Sequence, residues 1–156
     1  MRKLTRLNVD ALQREMPVLD EETLRSIYGG LDPNDCWWRC MAYISSNGQN
    51  YSADAAMGMA SSYYGSSFDS SSYAFSGNAY DARAIASGVL GGAYTNSHQI
   101  LVFNPSTLAG WEGNGSSHAV VVKGYSNGVY TVFDPQNGEE VQISAFNLNN
   151  ASGYFV

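Results

Sequence analysis

The dipeptide Asn127-Gly128 constrains the fold more than any other feature of this sequence. The residues before it, 117–125, and those after it, 129–133, are rich in β-branched and aromatic side chains, which are common in strands. An Asn-Gly pair between two such segments is a strong signal of a β-hairpin, because both residues accept the positive φ angles of a tight turn. The sequence therefore predicts two antiparallel strands joined by this turn.

Strand-like segments lie after Gly91-Gly92, whereas helix-like segments lie before it. Apolar spacing and capping residues predict helices near residues 36–47, 52–64 and 78–88. Further strands are predicted at 99–103, 140–143 and 154–156, and a Ser-rich loop at 65–77. Helices followed by antiparallel strands indicate the α+β class, not a parallel α/β sheet.

Charge is unevenly distributed along the 156 residues. Residues 1–30 contain five basic and five acidic side chains, so the whole formal charge of -6 belongs to residues 31–156. This argues against nucleic acid or an anionic membrane surface as a partner, because both bind clustered Lys and Arg. The sequence has neither a run of about 18 apolar residues for a membrane span nor an ordinary secretory signal. These features alone indicate a cytoplasmic protein with no membrane span.

Residues 1–30 have a pattern of their own. Apolar side chains recur every three to five residues, which is typical of an amphipathic helix or of two short ones. Pro17 interrupts the pattern, and Asp20 then begins an acidic segment suited to a helix N-terminus. The segment ends at Gly29-Gly30, a natural helix stop. A helical N-terminal arm is the simplest interpretation.

Residues 16–30 also resemble the double-glycine leader peptides of bacteriocins and related secreted peptides. Such leaders have Gly-Gly before the cleavage point, here Gly29-Gly30, and apolar residues at set distances upstream. Counting Gly30 as the first position, the residues at positions four, seven, twelve and fifteen are Ile27, Leu24, Leu19 and Met16. The resemblance implies a leader peptide at 1–30 and a mature domain at 31–156. It also implies cleavage after Gly30 by an ABC transporter with its own peptidase domain, and secretion of the product.

Three residues are placed to form a nucleophile, a base and an orienting acid. Cys36 lies at the predicted start of a helix, where the helix dipole and the free N–H groups favour a thiolate. His118 begins the first strand of the hairpin and Asp134 ends the second, so strand pairing brings them towards each other. In the ideal hairpin register, the residue opposite Asp134 on the first strand is about three positions from His118. A bulge or twist is therefore needed to bring Asp134 and His118 together.

Each of these residues also has a structural interpretation. Buried cysteines usually pack in a core, and Cys40, one helical turn beyond Cys36, fits that role. A disulfide between the two after export is a further alternative, although their separation strains it. A histidine in a strand is usually structural, Asp134 is suited to ending a strand, and His98 is predicted as a loop residue. Cys36, His118 and Asp134 all lie where a catalytic triad would need them, which favours the catalytic interpretation.

At these residues the chain resembles the papain-like cysteine peptidases, and among them the bacteriocin-processing double-glycine peptidases. The matching segments, within about residues 34–144, are Asp35-Cys36 followed by Cys40-Met41-Ala42, His118-Ala119-Val120-Val121-Val122, and Asp134-Pro135-Gln136-Asn137-Gly138. The resemblance implies a papain-like fold with N-terminal helices packed on an antiparallel β-sheet, and a peptide or protein substrate. Cys36 would be the nucleophile, His118 the general base and then acid, and Asp134 the group that fixes the imidazole.

The chain departs from that family at two positions. The family has a glutamine six residues before the cysteine, which donates to the oxyanion, and this chain has Gly30 there. Losing one such donor costs roughly a hundred- to a thousandfold in rate. The Cys36 backbone N–H remains as a donor, and Asn34 is the candidate for a second one. Trp37 replaces the small residue after the nucleophile, which predicts a narrower cleft.

Two functions of different classes follow. The first is an exported cysteine peptidase made as a precursor cleaved after Gly30, although an amidase or a transglutaminase-like transferase would use the same three residues. The second is a secreted non-catalytic protein, bacteriocin-like or a binding module, on a peptidase-like fold.

Gly30 lies too near to Cys36 for the domain to process its own leader without unwinding the helix start. No cofactor or metal is predicted, because two His and two Cys at these spacings form no zinc motif.

Overall fold

The computed structural model describes residues 35–69, 75, 77–96, 98–111, 115 and 117–156. The α-helices in these ranges are α1 (Cys36–Ser45), α2 (Ala53–Tyr64), α3 (Ala79–Leu90) and α4 (Ala145–Asn150). Short 3-10 turns follow α2 and α3, at Gly65–Ser67 and Gly91–Ala93. The strands are β1 (Ile100–Phe103), β2 (His118–Ser126), β3 (Val129–Asp134), β4 (Glu139–Ser144) and β5 (Tyr154–Phe155).

These helices pack on a five-stranded antiparallel sheet, which confirms the predicted α+β class. The strand order is β4-β3-β2-β1-β5, so β2 lies at the centre with β3 beside it. The connection between β2 and β3 is the predicted hairpin. Its two turn residues have positive φ angles, 51° at Asn127 and 79° at Gly128, as a tight turn of this kind requires.

Capping residues begin two of the helices near their predicted starts. Ser52 Oγ accepts a hydrogen bond from the Ala55 N–H at 3.2 Å, at the start of α2. Asn78 Oδ1 accepts one from the Tyr80 N–H at 2.8 Å, at the start of α3. Helix α3 runs two residues beyond its predicted end, because the glycine that stops it is Gly91, with φ 52°.

Helix α4 is not predicted by the sequence pattern. It has six residues, too few for a helical period to show. A local signal is nevertheless present at Ser144, whose Oγ accepts a hydrogen bond from the Phe146 N–H at 3.2 Å. An N-cap serine after a strand is therefore the feature that could have predicted this helix.

The sheet buries side chains on both faces. On one face, α1, α2 and α3 cover a core that includes Val121 of β2. On the other face, Leu108 and Leu148 cover a core that includes Val120. Successive side chains of a strand point to opposite faces, so β2 contributes alternately to both cores. This packing holds the hairpin strands that carry His118 and Asp134.

The predicted leader lies outside the described residues. This applies to the cleavage site Gly29-Gly30, to the recognition residues Met16, Leu19, Leu24 and Ile27, and to Asn34. The division at residue 30 therefore stays a prediction. Among the helices that the structure describes, none combines the length and apolarity needed to cross a membrane.

Candidate active site

The predicted nucleophile is the first residue of α1. Asp35 occupies the N-cap position before it, and the first helical hydrogen bond runs from the Arg39 N–H to the Asp35 carbonyl at 2.9 Å. The N–H groups of residues 36–38 therefore precede the helical hydrogen-bond ladder. Cys36 therefore lies at the positive end of the helix dipole; its thiol is free and the residue is 8% exposed.

His118 and Asp134 are in direct contact. The His118 Nε2–H donates a hydrogen bond to Asp134 Oδ2 over 2.9 Å, and both residues are buried. His118 is the first residue of β2 and Asp134 is the last residue of β3, so they lie at the same end of the hairpin. The acid and the base predicted from the sequence are thus neighbours in the fold.

A β-bulge in the hairpin sets the strand register that brings His118 and Asp134 together. Near the turn, Gly124 pairs with Thr131. The next pair is Val122 with Val132, so Lys123 is an extra residue on β2. The sequence predicts that a bulge or twist is needed between the turn and the site, and the register shift confirms the bulge.

The bulge decides which face of the sheet carries Asp134. Continuing the observed register by one pair sets Asp134 opposite Val120. Val120 and His118 are two residues apart, so their side chains share a face of the sheet. Without the extra residue Asp134 would oppose Val121 and its carboxylate would point to the opposite face. The contact between Asp134 and His118 therefore depends on one inserted residue in β2.

The side chain of Cys36 also acts on the His118 imidazole and raises its pKa. Nε2 binds Asp134, so Nδ1 is the ring nitrogen that remains available to Cys36. Burial lowers the pKa of His118, but the hydrogen bond to Asp134 and the interactions with Cys36 and with the charge of Asp134 outweigh it and raise the pKa from 6.5 to about 9. The imidazole is therefore protonated at neutral pH and can donate a proton.

Asp134 accepts further hydrogen bonds from the loop that follows it. Asn137 Nδ2 donates to Oδ2 over 2.8 Å, and the Gln136 backbone N–H donates to Oδ1 over 2.9 Å. Burial raises the pKa of Asp134, but the hydrogen bond and charge of His118 and the backbone N–H groups of Gln136 and Asn137 together lower it below its ordinary value. Asp134 is therefore a fixed carboxylate that orients the imidazole.

Two aromatic rings that sequence reasoning missed lie against His118. The ring centroid of Phe103 is 5.7 Å from that of His118, and the centroid of Trp111 is 5.4 Å away. Phe103 is directly opposite His118, so the pairing of β1 with β2 brings these two rings together. These rings exclude water from one side of the imidazole, which strengthens its interaction with Asp134.

Although Asp35 occupies the N-cap position of α1, its side chain does not cap the helix. Its side chain makes no capping hydrogen bond and instead accepts one from Arg39 Nε at 2.6 Å, within a buried ion pair. The spacing of four residues on a helix is a signal that could have predicted this pair. Gln136 Nε2 also donates to Asp35 Oδ1 at 3.2 Å, a contact that no sequence signal indicates.

Cys40, Trp37 and His98 are the other residues to which the sequence draws attention. Cys40 is free and fully buried, and burial, followed by the nearby Cys36 and carboxylates, raises its pKa well above the ordinary value. Trp37 is 2% exposed and stacks on Phe75 at 4.6 Å, in the core on the helix side of the sheet. His98 lies outside the helices and strands, as predicted, and its ring contacts Phe155.

Comparison of the chain with models of protein families, with curated proteins and with solved structures finds no match. The geometry of the described residues is therefore the basis for any functional argument. Within those residues, no cluster of three or more His, Cys, Asp and Glu side chains is placed to hold a metal ion.

The His118–Asp134 pair predicts a defined pH dependence of stability. The pKa of His118 is raised from 6.5 to about 9 on folding, so its contribution is complete below pH 6.5 and is lost as the pH rises to about 9. The pKa of Asp134 is lowered from 3.8, so its contribution is present above that pH and is lost as the pH falls.

We therefore expect the free energy of unfolding, measured by urea denaturation, to be greatest between about pH 4 and pH 6.5. Between pH 6.5 and about 9, the free energy of unfolding is expected to fall by about 3 kcal/mol because of His118. This fall is expected to be smaller in His118→Gln. An equal alkaline decline in the variant and the wild type would contradict the assignment of this dependence to His118.

Proposed function

We propose that this protein is an exported papain-like cysteine peptidase that hydrolyses peptide bonds through Cys36, His118 and Asp134. The observation that carries the proposal is the position of His118, which hydrogen-bonds the carboxylate of Asp134 and lies near enough to Cys36 for that side chain to raise its pKa. A nucleophile, a base and an orienting acid in contact are the defining geometry of nucleophilic acyl transfer.

The geometry supports a two-step reaction. The Cys36 thiolate attacks the substrate carbonyl carbon, and His118 gives its proton to the leaving amine as the C–N bond breaks. The resulting thioester is then attacked by water, whose proton returns to His118, and the C–S bond breaks to release the acid and the thiolate. Asp134 holds the imidazole in place during both steps and stabilises its positive charge.

The oxyanion formed in each step needs hydrogen-bond donors. The Cys36 N–H precedes the helical ladder at the positive end of α1 and is suited to this role. The helix N-terminus therefore supplies one donor without the glutamine that the resembling family places six residues upstream. Asn34, outside the described residues, is the proposed second donor.

The experiment that tests the proposal uses protein purified after export, incubated with a mixture of natural peptides. New peptide termini are identified by mass spectrometry. Cleavage that is lost with Cys36→Ala is the expected result. Absence of any cleavage or acyl transfer by protein that has a free Cys36 thiol would contradict it.

A second candidate is a secreted non-catalytic protein, bacteriocin-like or a binding module, on the same fold. The 8% exposure of Cys36 favours it, because a substrate carbonyl has to reach the sulfur. A protein of this kind would cleave no peptide. The cleavage experiment with Cys36→Ala therefore separates the two candidates.

We further propose that residues 1–30 are a leader removed during export by an ABC transporter with its own peptidase domain. The Gly29-Gly30 pair and the apolar residues at leader spacing support this. A pair of glycines passes a narrow cleft that excludes side chains.

The expected N-terminus of the secreted protein is Leu31, as measured by intact-mass spectrometry of medium from the native host. Gly30→Val is expected to leave the precursor uncleaved. Gly92→Val is the matched control in the other Gly-Gly pair, at a position where an added Cβ meets no atom within 4 Å. A secreted protein that still begins at Met1 would contradict the processing proposal.

A further inference from the structure

Gln136 connects the two parts of the site. Its backbone N–H donates to Asp134 Oδ1 at 2.9 Å, and its side-chain Nε2 donates to Asp35 Oδ1 at 3.2 Å. Asp35 immediately precedes Cys36 at the start of α1 and is 101 residues from Gln136 in the sequence. One residue therefore contacts both the carboxylate that holds His118 and the neighbour of the nucleophile.

The Asp35 end of this connection is firmly held. Asp35 is fully buried, and Arg39 Nε donates to its Oδ2 at 2.6 Å. Arg39 Nη1 also donates to the Tyr51 carbonyl at 3.3 Å, which ties the pair to the chain before α2. A buried carboxylate separated from its partner is costly, so Asp35 keeps this position. The Gln136 side chain thus binds to a fixed point beside Cys36.

We propose that Gln136 is a positioning residue that sets the distance between the Cys36 sulfur and the His118 imidazole. The inference rests on the proposed function, since this distance matters because Cys36 and His118 react as a pair. Near its start, helix α1 packs on the sheet through apolar side chains, and apolar burial is non-directional. A hydrogen bond from Lys123 Nζ to the Tyr43 hydroxyl, at 2.8 Å, joins α1 to β2 two turns further along the helix. A hydrogen bond has a defined length and angle, so it can fix the helix start to the precision that catalysis needs.

The substitution Gln136→Met tests the proposal in the full chain. Methionine keeps the length of the side chain and the backbone N–H to Asp134, but it removes the donor to Asp35. We expect alkylation of Cys36 by iodoacetamide at pH 7, followed by peptide mass spectrometry, to slow by about tenfold or more. We also expect the pKa of His118, followed by NMR, to fall from about 9, because Cys36 moves away from it.

Gln142→Met is the matched control, because Gln142 is exposed on β4. It is expected to leave both the alkylation rate and the His118 titration unchanged. Gln136→Glu is a second test variant, in which a carboxylate faces the carboxylate of Asp35. It is expected to slow alkylation as Gln136→Met does, by repulsion instead of by loss of a donor.

Wild-type alkylation and wild-type His118 titration in Gln136→Met would overturn the proposal. A lowered melting temperature with both readouts unchanged would overturn it as well, because a merely structural residue affects stability alone. Neither readout depends on peptide hydrolysis. If no peptide is cleaved while Gln136→Met still slows alkylation, the proposed function fails and the positioning role stands.

Discussion

Cys36→Ala is expected to abolish peptide hydrolysis and covalent labelling by a peptidyl electrophile. The rate of hydrolysis should fall by about 10⁴-fold or more, because the sulfur forms the covalent intermediate and the rest of the site acts on that intermediate. Cys36 is the cysteine whose side chain raises the pKa of His118, and it lies at the positive end of α1. Hydrolysis is measured by release of amine from peptide amides, and labelling by intact mass.

Cys40→Ala is the matched control, one turn further along the same helix. Cys40 is fully buried, and burial is the main cause of its raised pKa, so it stays a protonated thiol. The variant is expected to lose about 1 kcal/mol of stability from lost packing and to keep both labelling and hydrolysis. Labelling that persists in Cys36→Ala and disappears in Cys40→Ala would reverse the assignment of the nucleophile.

Asp134→Asn is the second large expected effect, with hydrolysis reduced by about 10²- to 10⁴-fold. The carboxylate accepts hydrogen bonds from His118, Asn137 and the Gln136 backbone. A carboxamide has one acceptor oxygen, so its NH₂ group must face a donor in this buried site. The imidazole then loses both its orientation and the charge that stabilises its protonated form, and the pKa of His118 falls.

The pKa of His118 is measured by NMR titration, and hydrolysis is measured on the same preparation. Asp54→Asn, in the first turn of α2, removes an exposed carboxylate outside the site and serves as the control. It should leave hydrolysis and the His118 titration unchanged. An Asp134→Asn variant that retains full activity and an unchanged His118 titration would exclude Asp134 from the triad.

Local sequence patterns predict most of the secondary structure, because the signals are local. The Asn127-Gly128 turn and the Ser52 and Asn78 caps act through hydrogen bonds and φ angles within a few residues. Helix α4 is the exception, since six residues present no period. The start of α1 at Cys36 also follows from sequence, which is why Cys36 can be proposed as the nucleophile without the fold.

The contacts around Cys36, His118 and Asp134 are harder to predict from the sequence than these three residues themselves. Gln136 appears in the sequence as a turn residue, and its contact with Asp35 spans 101 residues. Trp111 lies in a long connection, and its contact with His118 depends on how that connection folds back. Such long-range contacts follow from the packing of α1 and the loops on the sheet. The spacing of residues along the sequence does not indicate this packing.

The sequence by itself determined the α+β order of elements and the three candidate residues, because both depend on local periodicity and turn chemistry. The tertiary structure alone decided that Asp134 meets His118. The side-chain period of a strand is two residues, so a single extra residue at Lys123 moves the carboxylate from one face of the sheet to the other. The need for a bulge could be stated from the sequence, but its position and its effect on the face of the sheet could not.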